Sequence, residues 1–197
     1  MTNRMSLYEK AHFGIIKLVH ETLYSAAVDP YRWLKETGVT AGQSVLEVGC
    51  GPGFFTIPAA EMVGDGGHVL AIDNNAAAVD YVTRKVQRHG AKNIDVVLAD
   101  AAHTGLPDGS QDLVFLYGVI HALWNSIDKV LAETHRVLKP GGTLSVSSSR
   151  LPKARIIGVV TATKLFHLAM ETEHSVNFES LPEVDSARHP SFPAEAQ

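Results

Sequence analysis

Apolar residues are spaced along this chain in two ways, as short unbroken runs and as repeats every three or four positions. A short apolar run bounded by polar residues or glycine predicts a buried parallel strand, whereas the longer repeat predicts an amphipathic helix. The strands predicted in this way are Val45–Val48, His68–Asp73, Ile94–Asp100, Asp112–Gly118 and Thr143–Ser149. Because helical segments separate them, the chain predicts an α/β fold with a doubly wound sheet that is parallel over this span.

The helical segments have recognisable starts and stops. Asp29-Pro30 is a typical helix beginning, Asn74-Asn75 is the expected cap of the helix after the second strand, and residues 139–142 are expected to end the helix before the fifth strand. The predicted helices are about residues 7–24, Tyr31–Thr37, about 55–63, a segment carrying Val79, Val82 and Val86, a segment from Ile127 to Leu138, and about 153–163.

The last part of the chain predicts a change in strand direction. Two short strand-like runs, Leu165–Met170 and His174–Phe178, are separated by three residues. Strands joined by so short a turn are antiparallel. We therefore expect a mostly parallel seven-stranded sheet that ends in an antiparallel C-terminal hairpin.

Length and composition indicate one domain with a substantial core, since 45% of the 197 residues are hydrophobic and 19% are charged. We expect this domain to span residues 1–180, with a helical cap at 1–38 and a core at 39–180. Prolines interrupt any periodicity in residues 181–197, which predicts a mobile tail. The net charge of −4 provides no electrostatic reason to expect DNA or RNA as a partner.

Cysteine usage and the lack of long apolar runs predict a cytoplasmic location. Cys50 is the only cysteine, so no intrachain disulfide can form, which fits a reducing compartment. The N-terminus lacks the apolar core of a signal peptide, and no stretch reaches the ~18 apolar residues of a membrane span. The ten histidines have no ligand-spaced carboxylate or cysteine partners, so we expect no metal site. The sequence carries no prediction of oligomeric state.

A glycine-rich turn follows the first strand and carries the most specific chemistry. Gly49, Gly51 and Gly53 are spaced G-x-G-x-G, and residues without a Cβ let a ligand approach the backbone closely. A dinucleotide-binding turn would place its third glycine at position 54, where this chain has Phe54. Glu47, two residues before the first glycine, would repel a pyrophosphate and attract a cationic ligand.

This turn is the first motif in which the chain resembles the class I S-adenosylmethionine-dependent methyltransferases. Two further stretches share the resemblance, LADAAHTGLPDGSQDLVF (Leu98–Phe115) and E-x-x-RVLKPGG (Glu133–Gly142). The first of them is typical of small-molecule members such as those of ubiquinone and menaquinone biosynthesis. The resemblance covers about residues 40–180. It implies the Rossmann-like methyltransferase fold and S-adenosylmethionine as the cofactor, whereas Glu133 and Arg136 are expected to form a solvated or structural pair.

The resemblance also implies a cofactor site. Glu47 would reach the methionine ammonium, Asp73 both ribose hydroxyls, and Asp100 the adenine amino group. Asp73 could instead cap a helix, and Asp100 could instead be a turn residue. Tyr117 and Gly118 would offer their backbone to the methionine part. The full set of expected cofactor-binding residues is Glu47, Gly49, Cys50, Gly51, Gly53, Asp73, Asn74, Asp100, Ala101, Tyr117 and Gly118.

Methyl transfer needs a nucleophile held in line and water kept out, and it needs a general base only when the acceptor loses a proton. His121, just after the fourth strand, is the candidate base because imidazole titrates near neutral pH. The alternative is a histidine that only packs there. His103 and Trp124 are expected to border the pocket. The predicted N-terminal helix, with its residues His12, His20 and Tyr24, would cover the site or serve the structure alone.

The expected acceptor is a small molecule. The fourth strand ends in LYGVIH rather than the N-P-P-Y or D-P-P-Y turn of enzymes that methylate amino groups of DNA or protein glutamine. A lone Cys50 in the glycine turn argues against cytosine-C5 and arsenite methyltransferases. Three alternatives stay open: a non-catalytic S-adenosylmethionine-binding module, an NAD-dependent oxidoreductase, which Phe54 and Glu47 disfavour, and an aminopropyl transferase, which would want an acid-rich acceptor site.

Overall fold

The described residues form one sheet flanked by helices. The computed structural model describes residues 28–182, together with Gly14 and Leu18. The strands are β1 (Ser44–Val48), β2 (His68–Asp73), β3 (Ile94–Leu98), β4 (Gln111–Tyr117), β5 (Leu138–Ser147), β6 (Phe166–Glu171) and β7 (Val176–Ser180). They follow the order β3-β2-β1-β4-β5-β7-β6, in which the first five are parallel and β7 is antiparallel to both neighbours. The predicted fold class is confirmed.

Five α-helices flank the sheet, and two of them begin at residues whose side chains cap the helix. They are α1 (Pro30–Thr37), α2 (Thr56–Val63), α3 (Ala76–His89), α4 (Ile127–Val137) and α5 (Lys153–Ala162), with a 3₁₀ turn at Trp124–Ser126. The Asp29 carboxylate accepts the Tyr31 N–H at 3.0 Å and caps α1, and the Asn75 side chain caps α3. Apart from Gly14 and Leu18, which are helical, the helix predicted over residues 7–24 lies outside the described residues, as do residues 183–197 of the tail.

Strand β5 begins five residues earlier than expected. Leu138 is buried and pairs with Gln111 of β4, so residues 139–142 continue the strand instead of ending a helix. A Cβ at Gly142 would lie 2.8 Å from the Lys139 carbonyl oxygen, which explains the glycine. The terminal hairpin lies one to two residues later than predicted, because hydrogen bonds between Thr172 and Ser175 form its turn.

Both faces of the sheet are buried. Neighbouring residues of a strand point to opposite faces, and Val45 and Leu46 of β1 accordingly belong to two separate apolar clusters. One cluster packs the sheet against α4 and α5, and the other packs it against α1, α2 and α3. This arrangement leaves the carboxyl ends of the parallel strands uncovered by the helices. No helix in the described part of the chain has the length and apolar character needed to cross a membrane.

Glu133 and Arg136 form the structural pair that was one of the two expectations. The Glu133 carboxylate accepts hydrogen bonds from the Thr104 N–H at 2.7 Å and from the Arg136 Nε at 2.8 Å. The pair therefore joins α4 to the loop that precedes β4. The Arg136 guanidinium lowers the pKa of Glu133 to about 2, with a further contribution from Thr104.

We expect Glu133→Gln to destabilise the protein by about 1–3 kcal/mol near neutral pH, because hydrogen bonds to a charged group are lost. A lowered pKa stabilises the fold above the unfolded-state value, and this stabilisation is lost as the pH falls toward about 2. The difference in the free energy of unfolding between variant and wild type, measured with urea, should therefore become smaller as the pH falls from about 4.5 to about 2. Glu171→Gln, at an exposed position of β6, is the control. A gap independent of pH would contradict the ionic role of Glu133.

Candidate functional site

A cavity of about 400 Å³ lies at the carboxyl ends of the parallel strands. This is where open α/β sheets bind ligands, beside the point at which the strand order reverses, here between β1 and β4. The predicted site residues that line it are Glu47, Gly49, Cys50, Gly51, Asp73, Asn74, Asp100, Ala101, Tyr117, Gly118 and His121. Gly53, His103 and Trp124 are not among the lining residues.

The glycine turn owes its path to close packing. Gly49 has a φ of +76°, and a Cβ there would lie 2.6 Å from a methyl carbon of Val119, in the loop after β4. The N–H groups of Gly49 and Cys50 both donate to the Ile72 carbonyl of β2, at 2.8 and 3.0 Å. Gly53 turns away from the cavity, and a Cβ on it would meet Val82 of α3 at 3.0 Å. Gly53 therefore shapes the turn and its contact with α3, not the cavity wall.

Asp73 ties the glycine turn to the end of β2. One of its carboxylate oxygens accepts the Gly51 N–H at 2.9 Å, and the other accepts the Asn75 N–H at 2.8 Å. The helix cap of α3 is Asn75 and not Asp73. Burial raises the pKa of Asp73, whereas these backbone hydrogen bonds act in the opposite direction. Asp73 keeps lone pairs that can accept hydrogen bonds from a ligand.

Glu47 is a buried carboxyl group near the carboxyl end of β1, a central strand of the sheet. It is 3% exposed, and its one hydrogen bond from a side chain comes from the Thr56 hydroxyl at 2.5 Å. Burial raises its pKa to about 8, even though Thr56 and the positive charge of Lys85 lower it. Near pH 7 the group is therefore mostly neutral until a cation enters the cavity and favours the carboxylate.

Asp100 is a turn residue that also lines the cavity. Its carboxylate accepts the Ala102 N–H at 2.9 Å, which forms a turn two residues after the end of β3. A backbone bridge to His103 closes the same turn and accounts for the place of that histidine outside the cavity. The Asp100 side chain also lines the cavity, so the turn residue faces the ligand space.

His121 and Arg150 lie on the opposite side of the cavity. The buried Nδ1 of His121 has no hydrogen-bond partner within the described part of the chain. Burial lowers the pKa of His121, and the charge of Arg150 lowers it further, so the imidazole is neutral near pH 7. Arg150 follows β5 by three residues and was not predicted. Its position just after a strand end was the signal that could have found it.

Two other lining residues, Cys50 and Tyr117, have a structural character: the first is an unreactive thiol, and the second makes hydrogen bonds through its side chain. Burial raises the pKa of the Cys50 thiol, and the acids Glu47 and Asp73 raise it further, so this cysteine stays a thiol. The Tyr117 hydroxyl hydrogen-bonds Thr37 of α1 and, at 3.2 Å, Ser145 of β5. Tyr117 thus anchors α1 beside the cavity.

One cluster outside the cavity has the composition of a metal site. Ligand atoms of Glu36, Glu173 and His174 lie within 4.8 Å of one another. Arg32 already pairs with both carboxylates, and His174 Nδ1 lies 3.1 Å from Glu36. We interpret this cluster as an ion-pair network that joins α1 to the turn between β6 and β7.

The chain is similar in sequence to known methyltransferases. A family model described as a methyltransferase domain matches residues 45–142. The chain is 33% identical over 128 residues to a demethylmenaquinone methyltransferase of Lactobacillus johnsonii, a match covering 64% of this chain and 52% of the relative. It is 32% identical over 106 residues to an arsenite methyltransferase of Halobacterium salinarum, covering 54% of this chain and 27% of that protein. The chain thus spans about half, or less, of the length of these relatives.

A solved structure extends the similarity over most of the described chain. It is a SAM-dependent methyltransferase from Aquifex aeolicus, with a TM-score of 0.76 and 27% identity. The match covers 85% of this chain and 97% of that structure.

We expect Glu47→Gln to gain stability relative to wild type as the pH rises, when no ligand is present. A raised pKa stabilises the fold below the unfolded-state value, and this stabilisation is lost as the pH rises toward about 8. The amide of the variant cannot ionise. The change in the free energy of unfolding between pH 5 and pH 8.5, measured with urea, should therefore differ between variant and wild type by about 2 kcal/mol or more. Glu179→Gln, on exposed β7 surface, is the control. A constant offset across this range would show that Glu47 is already ionised in the free protein.

Proposed function

Because the chain belongs to the class I S-adenosylmethionine-dependent methyltransferase family, we propose that it transfers a methyl group from S-adenosylmethionine to a small-molecule acceptor. The observation that carries this proposal is the row of three carboxyl groups at the ends of neighbouring strands, Glu47, Asp73 and Asp100. The cofactor offers hydrogen-bond donors and a net positive charge, which is the chemistry that such a row accepts.

Each acid has a part of the cofactor that suits it. Asp73 keeps free lone pairs beside the glycine turn and accepts the ribose hydroxyls. Asp100 accepts the adenine amino group, with the Ala101 N–H beside it. Glu47 binds the methionine ammonium. The positive charge of the ammonium favours the ionised form of Glu47, which water does not stabilise at this buried position. When bound, the cofactor supplies a methyl carbon that is already activated for displacement.

The protein's own contribution is position, exclusion of water and movement of one proton. Phe54, Val119 and Leu123 are among the apolar residues that line the cavity, and they keep water away from the acceptor. With a hydroxyl acceptor, the cofactor would supply the methyl group, and the step that falls to the protein is removal of the hydroxyl proton. The hydroxyl proton passes to the neutral imidazole of His121, which is one of the residues that line the cavity.

The alternatives are weaker for physical reasons. An NAD-dependent oxidoreductase would need the spacing G-x-G-x-x-G at its pyrophosphate-binding turn, and this chain has Phe54 in place of the third glycine. An aminopropyl transferase would want acids around its acceptor, whereas the described residues on the His121 side carry Arg150 instead. A non-catalytic binding module would not need a neutral, unpartnered histidine in the cavity.

The acceptor class and the location of the reaction follow from the same residues. A net charge of −4 favours a small molecule over a nucleic acid. Cys50 is buried and remains a thiol, which argues against arsenite as the acceptor and fits a reducing cytoplasm. The methyltransferase unit comprises the sheet core with α1 closing one side of the cavity.

We expect Asp73→Ala to weaken S-adenosylmethionine binding about tenfold or more, because hydrogen bonds to a charged acceptor are lost. Isothermal titration measures the dissociation constant, and Asp95→Ala, an exposed acid of β3, is the matched control. An unchanged constant in a folded Asp73 variant would remove Asp73 from the ribose role. Binding of NAD in place of S-adenosylmethionine would overturn the assignment itself.

We expect His121→Ala to lower turnover of a hydroxyl acceptor by roughly 10²–10⁴, with cofactor affinity nearly unchanged. The acceptor comes from a mass-spectrometric screen of phenols, quinols, amines and thiols for methylated product. Residual turnover should rise with pH as the acceptor ionises unaided, and an amine or thiolate acceptor should be affected far less. His89→Ala, on α3, is the control. Turnover equal to wild type on a hydroxyl acceptor would leave His121 only a packing role.

A further inference from the structure

The ionisable side chains that line the cavity are separated into acidic and basic residues. Glu47, Asp73 and Asp100 lie at or just after the ends of β1, β2 and β3, which form one half of the sheet. His121 and Arg150 lie after the ends of β4 and β5, in the other half. No carboxyl group from the described β4–β5 side lines the cavity. The cavity therefore has an acidic half and a basic half.

Arg150 differs from other arginines of the described chain in having no partner for its guanidinium. Arg32 and Arg136 pair with glutamates, and Arg84 pairs with Asp80. Arg155 lies over the Trp124 ring at 4.8 Å. Arg150 makes neither an ion pair nor a side-chain hydrogen bond to any residue in the described ranges, and its one polar contact is from its backbone N–H to Ser148. A guanidinium at a cavity wall, without an acid beside it, is suited to bind a carboxylate in two parallel hydrogen bonds.

We propose that Arg150 determines acceptor specificity by binding a carboxylate of the methyl acceptor, an inference that rests on the proposed function. The acidic half of the cavity suits the cofactor, and the acceptor then occupies the basic half. Leu123 and Val119, close to His121 in the sequence, supply apolar surface to the cavity wall. The acceptor class is therefore a small molecule with an apolar or aromatic body, a carboxylate at Arg150 and the reacting atom at His121.

The cofactor also has a carboxylate, and its place in the molecule argues against Arg150 as the partner. The ammonium and the carboxylate of its methionine part are bonded to the same carbon. With the ammonium at Glu47, both groups lie at the end of β1 beside the glycine turn. Arg150 belongs to the loop after β5, on the other side of β4.

The test compares acceptors that differ only in the carboxylate, using the full 197-residue chain. The pair is 3,4-dihydroxybenzoate and its methyl ester. We expect wild type to methylate the acid with a kcat/KM about tenfold or more above that of the ester, the effect of one charged hydrogen-bonded contact. Arg150→Met should reduce this ratio to about one, chiefly by raising KM for the acid, and Arg150→Lys should restore part of it. Lys92→Met removes an exposed positive charge away from the cavity and should leave the ratio unchanged.

A binding measurement gives a readout that needs no turnover. Benzoate and benzyl alcohol are titrated by NMR into the complex with S-adenosylhomocysteine. Benzoate should bind more tightly than the alcohol, and Arg150→Met should remove the difference. Equal binding of the two probes, or equal methylation of acid and ester by wild type, would overturn the role of Arg150.

Two further outcomes separate this inference from the proposed function. A tenfold loss of S-adenosylmethionine affinity in Arg150→Met, measured by isothermal titration, would assign Arg150 to the cofactor and overturn the inference. Failure of wild type to bind S-adenosylmethionine, or to methylate any compound in the acceptor screen, would overturn the proposed function. Selective binding of benzoate through Arg150 would still show the anion site in that case.

Discussion

The reversal of strand order between β1 and β4 is the constraint on which the site depends. Connections from neighbouring parallel strands leave to opposite faces at this point, so a crevice opens between the loop after β1 and the loop after β4. The two loops approach so closely that only glycine fits at position 49, where a Cβ would lie 2.6 Å from Val119. The glycine turn is therefore a steric requirement of the fold as well as a feature of the ligand site.

A buried acid stands at the centre of this crevice. Glu47 occupies a strand position whose neighbours, Leu46 and Val48, are core residues, and a carboxyl group there is held neutral by burial. Lys85 of α3 donates to the Gly53 carbonyl at 2.6 Å and holds the turn over Glu47. Such an arrangement reduces the stability of the free protein at alkaline pH and prepares a strong site for a cation, since an unscreened carboxylate attracts it in a low-dielectric setting.

Polar contacts also connect the cavity with the C-terminal hairpin. The Tyr117 hydroxyl bonds Thr37, the Asn177 side chain donates to the Glu36 carbonyl at 2.8 Å, and His174 pairs with Glu36. These contacts fix α1 against β4, β7 and the hairpin turn through buried and half-buried polar groups. The antiparallel hairpin thus has a structural role beside the site, in addition to closing the sheet.

Local spacing predicted most strands, most helix caps and the acids that line one side of the cavity. Periodicity and glycine spacing are properties of neighbouring residues, so β2 was predicted to the residue and Asp73 was placed at the strand end that faces the cavity. Asp100 was predicted to end β3, but this strand ends at Leu98 and Asp100 lies in the turn that follows. Tertiary structure alone decided the rest. Leu138 belongs to β5 because it pairs with Gln111 of β4. Gly53 lies away from the cavity because it packs against Val82 of α3. The raised pKa of Glu47 and the place of Arg150 depend on groups that burial and topology bring together from distant parts of the chain, and no spacing along the sequence records these neighbours.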